Sequence, residues 1–272
     1  MVDSQPELIM TRHSTTWLET ALEREHRVTI CVLAAIALAS WTWIAVMARD
    51  MYGTMLGASA WMMSTVWNWP RIFLLWAMWA VMMTAMMLPS ATPLILLYAA
   101  AAHRNAEPGS PARRIYALAA GYVLVWALFS VLATALQRVL SSALVLTPMM
   151  EPATPLAGGV VLAIAGVYQL TPLKRACLRT CRSPLGFMMQ RWRVGVAGAF
   201  RLGLHHGAYC LGCCWALMLI LFAGGVMNLV VIIALTAWVA VEKLAPFGER
   251  TAPVSGAVLL TLAVWMIERG IA

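Results

Sequence analysis

The sequence predicts an all-α fold, a polytopic integral membrane helix bundle of about seven transmembrane helices, and three observations predict it. Apolar residues make up 62% of the 272-residue chain and charged residues 11%, where an ordinary soluble domain is roughly a quarter charged. The apolar residues gather into runs near the ~20 residues that a bilayer crossing requires. Fifteen of the 19 Lys and Arg fall in alternate gaps between those runs, the asymmetry that orients a multi-pass protein.

Taken in order, residues 1–27 are polar and slightly acidic, so no cleavable signal peptide is expected there. They read as a cytoplasmic N-terminal segment, either a short helix or an unstructured lead-in. The runs then cover 28–48, 71–92, 115–138, 155–173, 205–224, 226–243 and 252–268. Arg12, Arg24 and Arg27 precede the first run, and Arg104, Arg113 and Arg114 separate the second from the third. Lys174, Arg175, Arg179, Arg182, Arg191, Arg193 and Arg201 fill the gap after the fourth, and Lys243 and Arg250 follow the sixth. The positive-inside rule then places the N-terminus in the cytoplasm and the C-terminus outside. Residues 28–272 form one transmembrane helical domain with a basic cytoplasmic loop at 174–204. The net charge of +8 belongs to loops facing anionic cytoplasmic lipid, so the lipid bilayer is the expected partner and nucleic acid is not. No soluble domain, coiled coil or nucleotide-binding glycine loop is expected.

The fifth run carries the chemistry. It reads His206-Gly-Ala-Tyr-Cys210-Leu-Gly-Cys213-Cys214-Trp-Ala-Leu-Met218. His206, Cys210, Cys214 and Met218 are four apart and Cys213 lies three beyond Cys210, so all five share one helix stripe. Thiolate, thioether and imidazole are soft ligands that select Cu(I), zinc and iron–sulfur chemistry. One stripe cannot surround an ion, so a second helix must supply further ligands. The second run offers Met78, Met82 and Met86 at i, i+4 and i+8, with Met83 and Met87 beside them. At 1.5 Å per residue, Cys210 to Cys214 lie roughly 8–14 Å from the inner surface and Met86 about 9 Å, so the two sets can meet. Pro89 and Pro93 are expected to break this helix and to open a cavity just below Met86 and Met87.

Glu242 and Lys243 close the sixth run on the same side. They read either as an interfacial ion pair with a snorkelling lysine, or with Glu242 as the acceptor that orients His205 or His206 as a ligand. Cys177 and Cys181 sit one turn apart among four cations in the basic loop, as a delivery pair, a redox pair or exposed thiols. None of the six cysteines falls in an external loop, so no disulfide framework is expected, and Cys31 reads as an apolar filler. The outer face carries Met47, Met51, Met55, Met62, Met63, Met149, Met150 and Met227, with Trp61, Trp67 and Trp69 as an interfacial belt. Thioether outside and thiol inside is the order a Cu(I) relay needs, whereas lipid-facing gap filling is the plainer alternative for methionine.

At these residues the chain resembles a bacterial family of predicted metal-binding integral membrane proteins. The matching positions are Trp79, Met82, Ala85, Met86, Met87 and Pro89, then Cys210, Gly212, Cys213, Cys214, Trp215, Leu217 and Met218. Gly225, Met227, Asn228, Glu242 and Lys243 complete the pattern, so the likeness is strongest over 71–250. It implies a metal-binding role in the bacterial inner membrane, with copper as the metal. Where the family carries a Trp-Met pair after Asn228, this chain has Val230 and Val231.

The resulting expectation is a Cu(I)-binding inner-membrane protein that transports copper or delivers it to a copper-dependent membrane or periplasmic enzyme. The expected metal residues are Cys210, Cys213, Cys214, His206, Met82, Met86, Met87, Met218 and Glu242. Zinc is the alternative that thiol and imidazole allow, and the methionines argue for copper. No catalytic residues are expected. The rival is a membrane thiol or quinone oxidoreductase working through Cys213 and Cys214 or through Cys177 and Cys181.

Overall fold

Ten helices make up the described part of the chain, and no strand occurs among those residues. The computed structural model describes residues 5–53, 58–63, 67–104 and 110–271, with the side chains of 5–26 outside that description. The helices are α1 (Gln5–Met51), α2 (Ala58–Met63), α3 (Trp69–Arg104), α4 (Pro111–Ser142), α5 (Pro155–Gln169), α6 (Pro172–Arg182), α7 (Pro184–Arg191), α8 (Gly195–Gly224), α9 (Leu229–Leu244) and α10 (Gly248–Ile271). Gln5 onward is helical, so the polar lead-in runs without interruption into the first apolar stretch.

Five helices are long and apolar enough to cross a membrane: Arg27–Met51 within α1, and α3, α4, α8 and α10. The other two expected spans take a different form. The run at 155–173 becomes α5 joined to α6 through a 66° bend, because Thr171 caps the next helix by accepting from the Lys174 N–H and Pro172 starts it. The run at 226–243 becomes the 16-residue α9, about 24 Å long against a hydrocarbon core of ~30 Å. Its start is fixed by Asn228, whose side chain accepts from the N–H groups of Val230 and Val231. Gly225, at φ 91°, reverses the chain just before it.

The bundle is assembled around α4 and α8. A Cβ on Gly203 would lie 2.0 Å from the Leu118 carbonyl oxygen, and one on Gly121 2.3 Å from that of Phe200. The two backbones therefore touch, as small residues permit between membrane helices. α8 also packs on α5 and α6, α3 packs on α1 and α4, α10 on α5, and α9 lies among α3, α8 and α10.

Pro89 and Pro93 do not break α3, which continues through both to Arg104. Nearby hydroxyls engage the carbonyls of that turn. Ser90 donates to Met87 O and Thr92 to Leu88 O, while the Tyr122 hydroxyl donates to Met87 O from α4. Such partners are what allow proline inside a membrane helix. The expected break and its cavity are corrected: Met86, Met87, Leu88, Ala91 and Leu94 are all buried in packed protein.

Candidate functional site

The α8 stripe points inward along its length. His206, Cys210, Cys213, Cys214 and Met218 are all buried, and so are Met78, Met82, Met83, Met86 and Met87 on α3. The two helices meet through side chains. At one level Trp79 of α3 lies 5.1 Å from the Phe222 ring of α8. At the other, the Tyr122 hydroxyl of α4 sits 2.9 Å from Met87 O and 3.0 Å from Cys210 Sγ. Met82 and Met86 occupy the turns of α3 between those two links.

Three thiols are gathered on α8. Cys213 Sγ lies 3.2 Å from Cys214 Sγ and donates to the Cys210 carbonyl at 3.1 Å. Cys210 Sγ faces Lys243 Nζ at 2.8 Å, and the same ammonium reaches Ser90 Oγ at 3.2 Å. The positive charge therefore sits against a sulfur whose anionic form is the metal-ligating form. His206 is enclosed by the Tyr122 ring at 5.6 Å and the Phe187 ring at 5.4 Å, and its Nδ1 makes no hydrogen bond. A buried imidazole nitrogen aimed into apolar surroundings is costly unless something else engages it. Among the described residues, no three His, Cys, Asp or Glu side chains are arranged so as to hold a metal ion. The thiols form a row rather than a cage, with Lys243 already on Cys210.

Glu242 and Lys243 do not pair with each other. Adjacent residues diverge by about 100° around a helix, and these two turn into different neighbourhoods. Glu242 accepts from Lys174 Nζ at 2.6 Å, Gln169 Nε2 at 2.7 Å, Trp238 Nε1 at 3.1 Å and Ser255 Oγ at 3.4 Å. Neither His205 nor His206 is among these partners. The expected interfacial pair with a snorkelling lysine is corrected: Glu242, Lys174 and Lys243 are all buried, because α5, α6 and α10 supply partners around Glu242 and α3 and α8 around Lys243. Arg182 completes that closure, donating to the carbonyls of Glu242 and Ala245 at 2.6 Å and of Pro246 at 3.2 Å, a cationic C-cap for α9.

The bend after α5 brings α6 back along α8. Cys177 then rests on Gly212, where a Cβ would stand 2.8 Å from its Sγ, and the Tyr168 hydroxyl donates to Gly212 O. Cys181 Sγ comes to 3.9 Å from Cys213 Sγ. Both α6 thiols are half-buried.

At the opposite end Met47, Met51, Met62, Met150 and Met227 are buried and Met149 is half-buried, so these face the protein interior rather than lipid. Met55 and the side chains of Met63 and Trp61 lie outside the described residues. Trp67 is half-buried beneath the Arg71 guanidinium, 4.1 Å from its ring, and Trp69 is exposed.

Sequence reasoning missed Tyr122, Gln169 and Lys174. The available signal was a polar group inside or at the edge of an apolar run, where each requires a partner. The partnership of Cys181 with Cys213 had no local signal, since the two lie 32 residues apart.

Neither the curated proteins nor the solved structures contain a match to the chain. A family profile described as PpoB2 copper chaperone matches residues 76–266, taking in the methionine stripe of α3, the thiols of α8 and the Glu242–Lys243 pair. The site just described therefore lies within the matched region, and the chain belongs to the PpoB2 copper chaperone family.

Proposed function

We propose that this chain is a multi-pass protein of the bacterial inner membrane that carries Cu(I) as its cargo and delivers it to a copper-dependent enzyme. Cys210, Cys213 and Cys214 hold the ion once their side chains turn from the row onto it, with Met82 or Met86 from α3 and His206 as supplementary ligands and Met87 and Met218 as soft neighbours. The observation that carries this reading is the row of three buried thiols on α8, in a bundle whose α3 carries a buried methionine stripe and where the Tyr122 hydroxyl bridges Cys210 Sγ and Met87 O. Such a donor set suits Cu(I) and serves magnesium, calcium or manganese poorly.

Each side chain then has a part. Cu(I) binding converts thiols to thiolates and releases their protons. Lys243 supplies the compensating charge inside a low-dielectric interior, where an unpaired thiolate would be costly. Ser90 and Tyr122 hold the far sides of Lys243 and Cys210. Glu242 acts on structure: it neutralises Lys174 and ties α5, α6, α9 and α10 into the wall behind the thiols. The basic α6 end faces the cytoplasm in this reading, as the positive-inside rule requires.

The test is copper content. Protein purified in detergent under reducing conditions should retain close to stoichiometric copper by mass spectrometry. The variant with Cys210→Ser, Cys213→Ser and Cys214→Ser should retain almost none. Equal copper in both proteins would refute the assignment. No copper in either, with reversible thiol oxidation in the wild type, would favour thiol exchange instead.

A further inference from the structure

We propose that Cys181 on α6 is a fourth thiol of the same copper path, forming with Cys213 a two-sulfur exchange site through which Cu(I) passes between the α6 surface and the buried thiols of α8. This rests on the reading of Cys210, Cys213 and Cys214 as the Cu(I) ligands and adds the route by which the ion reaches them.

Distance is the first argument. Two thiolates on one ion with metal–sulfur bonds of about 2.3 Å stand roughly 3.8 Å apart at a tetrahedral angle and up to about 4.6 Å apart when linear. Cys181 Sγ and Cys213 Sγ are 3.9 Å apart, a spacing that an ion can bridge without backbone movement. Cys213 and Cys214, at 3.2 Å, are closer than that. Accessibility is the second. Cys213 and Cys214 are sealed at 1% and 0% exposure, whereas Cys181 and Cys177 are half-buried. The sulfurs thus run from a surface that solvent reaches to an interior that it does not.

Local structure holds the pair in place. α6 is docked on α8 and α9 by contacts along its length. Gly212 leaves room for Cys177, and Tyr168 donates to the carbonyl of Gly212. Lys174 is buried against Glu242, and Arg182 caps α9. Cys177 and Cys181, one turn apart, therefore share the face of α6 that lies on α8.

The step is a ligand exchange with no change of oxidation state. An incoming Cu(I) carried by a soft sulfur donor forms a bond to Cys181, whose thiol proton leaves to solvent, while one donor–copper bond breaks. A bond to Cys213 follows with loss of its proton as the last donor–copper bond breaks, and the Cys181–copper bond then breaks as Cys214 or Cys210 joins with loss of its own proton. Cys181 then takes a proton back. Cu(I) accepts low coordination numbers, so each two-sulfur stage can hold the ion.

The test follows alkylation of Cys181 by N-ethylmaleimide in the full-length Cys210→Ser, Cys214→Ser protein in detergent, where the ion cannot leave Cys213 for the other α8 thiols, with and without one equivalent of Cu(I) from its acetonitrile complex, read by peptide mass spectrometry. Copper should slow modification of Cys181 by about tenfold or more, the protection that a mostly occupied site confers. That protection should persist in Cys177→Ser and disappear in Cys213→Ser. Protection that survives Cys213→Ser would overturn the pairing. Unchanged alkylation of Cys181 in the Cys210→Ser, Cys214→Ser protein, with copper still held by the wild-type protein, would overturn the exchange role while leaving the α8 site intact. A wild-type protein that binds no copper would sink the parent reading and this one with it.

Discussion

At the scale of single residues, the buried charges set the strongest constraints. Lys174 and Glu242 form an ion pair at 0% and 1% side-chain exposure, and removing one partner leaves the other charged in a dry interior. Glu242→Gln is expected to destabilise the protein by about 3–5 kcal/mol, measured by thermal unfolding in detergent. Adding Lys174→Met to that variant should recover much of the loss. Tyr122→Phe removes a hydroxyl shared by Met87 O and Cys210 Sγ. Its expected cost is smaller, about 1 kcal/mol, with copper retained. A Tyr122→Phe protein that melted as low as Glu242→Gln would overturn the view that this hydroxyl contributes no more than an ordinary buried hydrogen bond. The stripe at His206, Cys210, Cys213, Cys214 and Met218 was legible from spacing alone, because a helix period is a local property. The diverging partners of Glu242 and Lys243 were not, because two adjacent residues reveal their separation around the helix and nothing about what stands there.

Helix pairs behave according to how closely their backbones approach. Gly203→Ala would press a methyl group onto a backbone carbonyl of α4, which cannot swing away as a side chain can. The expected loss is about 2 kcal/mol or more, visible as a lower midpoint in the same unfolding assay. Gly212→Ala meets only the sulfur of Cys177. It should cost less in stability while loosening α6 and raising the alkylation rate of Cys181. The 66° bend between α5 and α6 decides the site at this scale. The expected run at 155–173 passes straight through the boundary at Thr171 and Pro172, although a capping hydroxyl followed by proline is its local signal. The direction in which α6 leaves it has no such signal, because Tyr168, Gly212 and Glu242 set that direction and they come from three different helices. Pro89 and Pro93 teach the converse. Their local chemistry argues for a break, and hydroxyls from α3 and α4 remove the reason for one.

Over the whole molecule, helix length explains where polar chemistry collects. α5 and α9, at 15 and 16 residues, span about 22 and 24 Å, short of the hydrocarbon thickness. Near their ends, the side chains of Gln169 on one and of Glu242 and Lys243 on the other are buried inside the bundle. Proposed orientation can be checked on α4, whose ends carry the exposed Ser110 and Ser142. With the N-terminus in the cytoplasm, a cysteine at Ser142 should react with a membrane-impermeant maleimide in intact cells and one at Ser110 should not. The reverse pattern would invert the topology. Hydropathy and periodicity by themselves determined that the chain is helical, that it holds several membrane-length apolar helices, and that α8 gathers thiols and α3 thioethers on single faces. These are properties of neighbours in the chain, and the physics that sets them acts over a few residues. Only the tertiary structure decided that Cys181 meets Cys213, that Lys243 meets Cys210, and that Glu242 is committed to Lys174. Each of those contacts depends on bends, caps and close backbone approaches contributed by helices far apart in sequence.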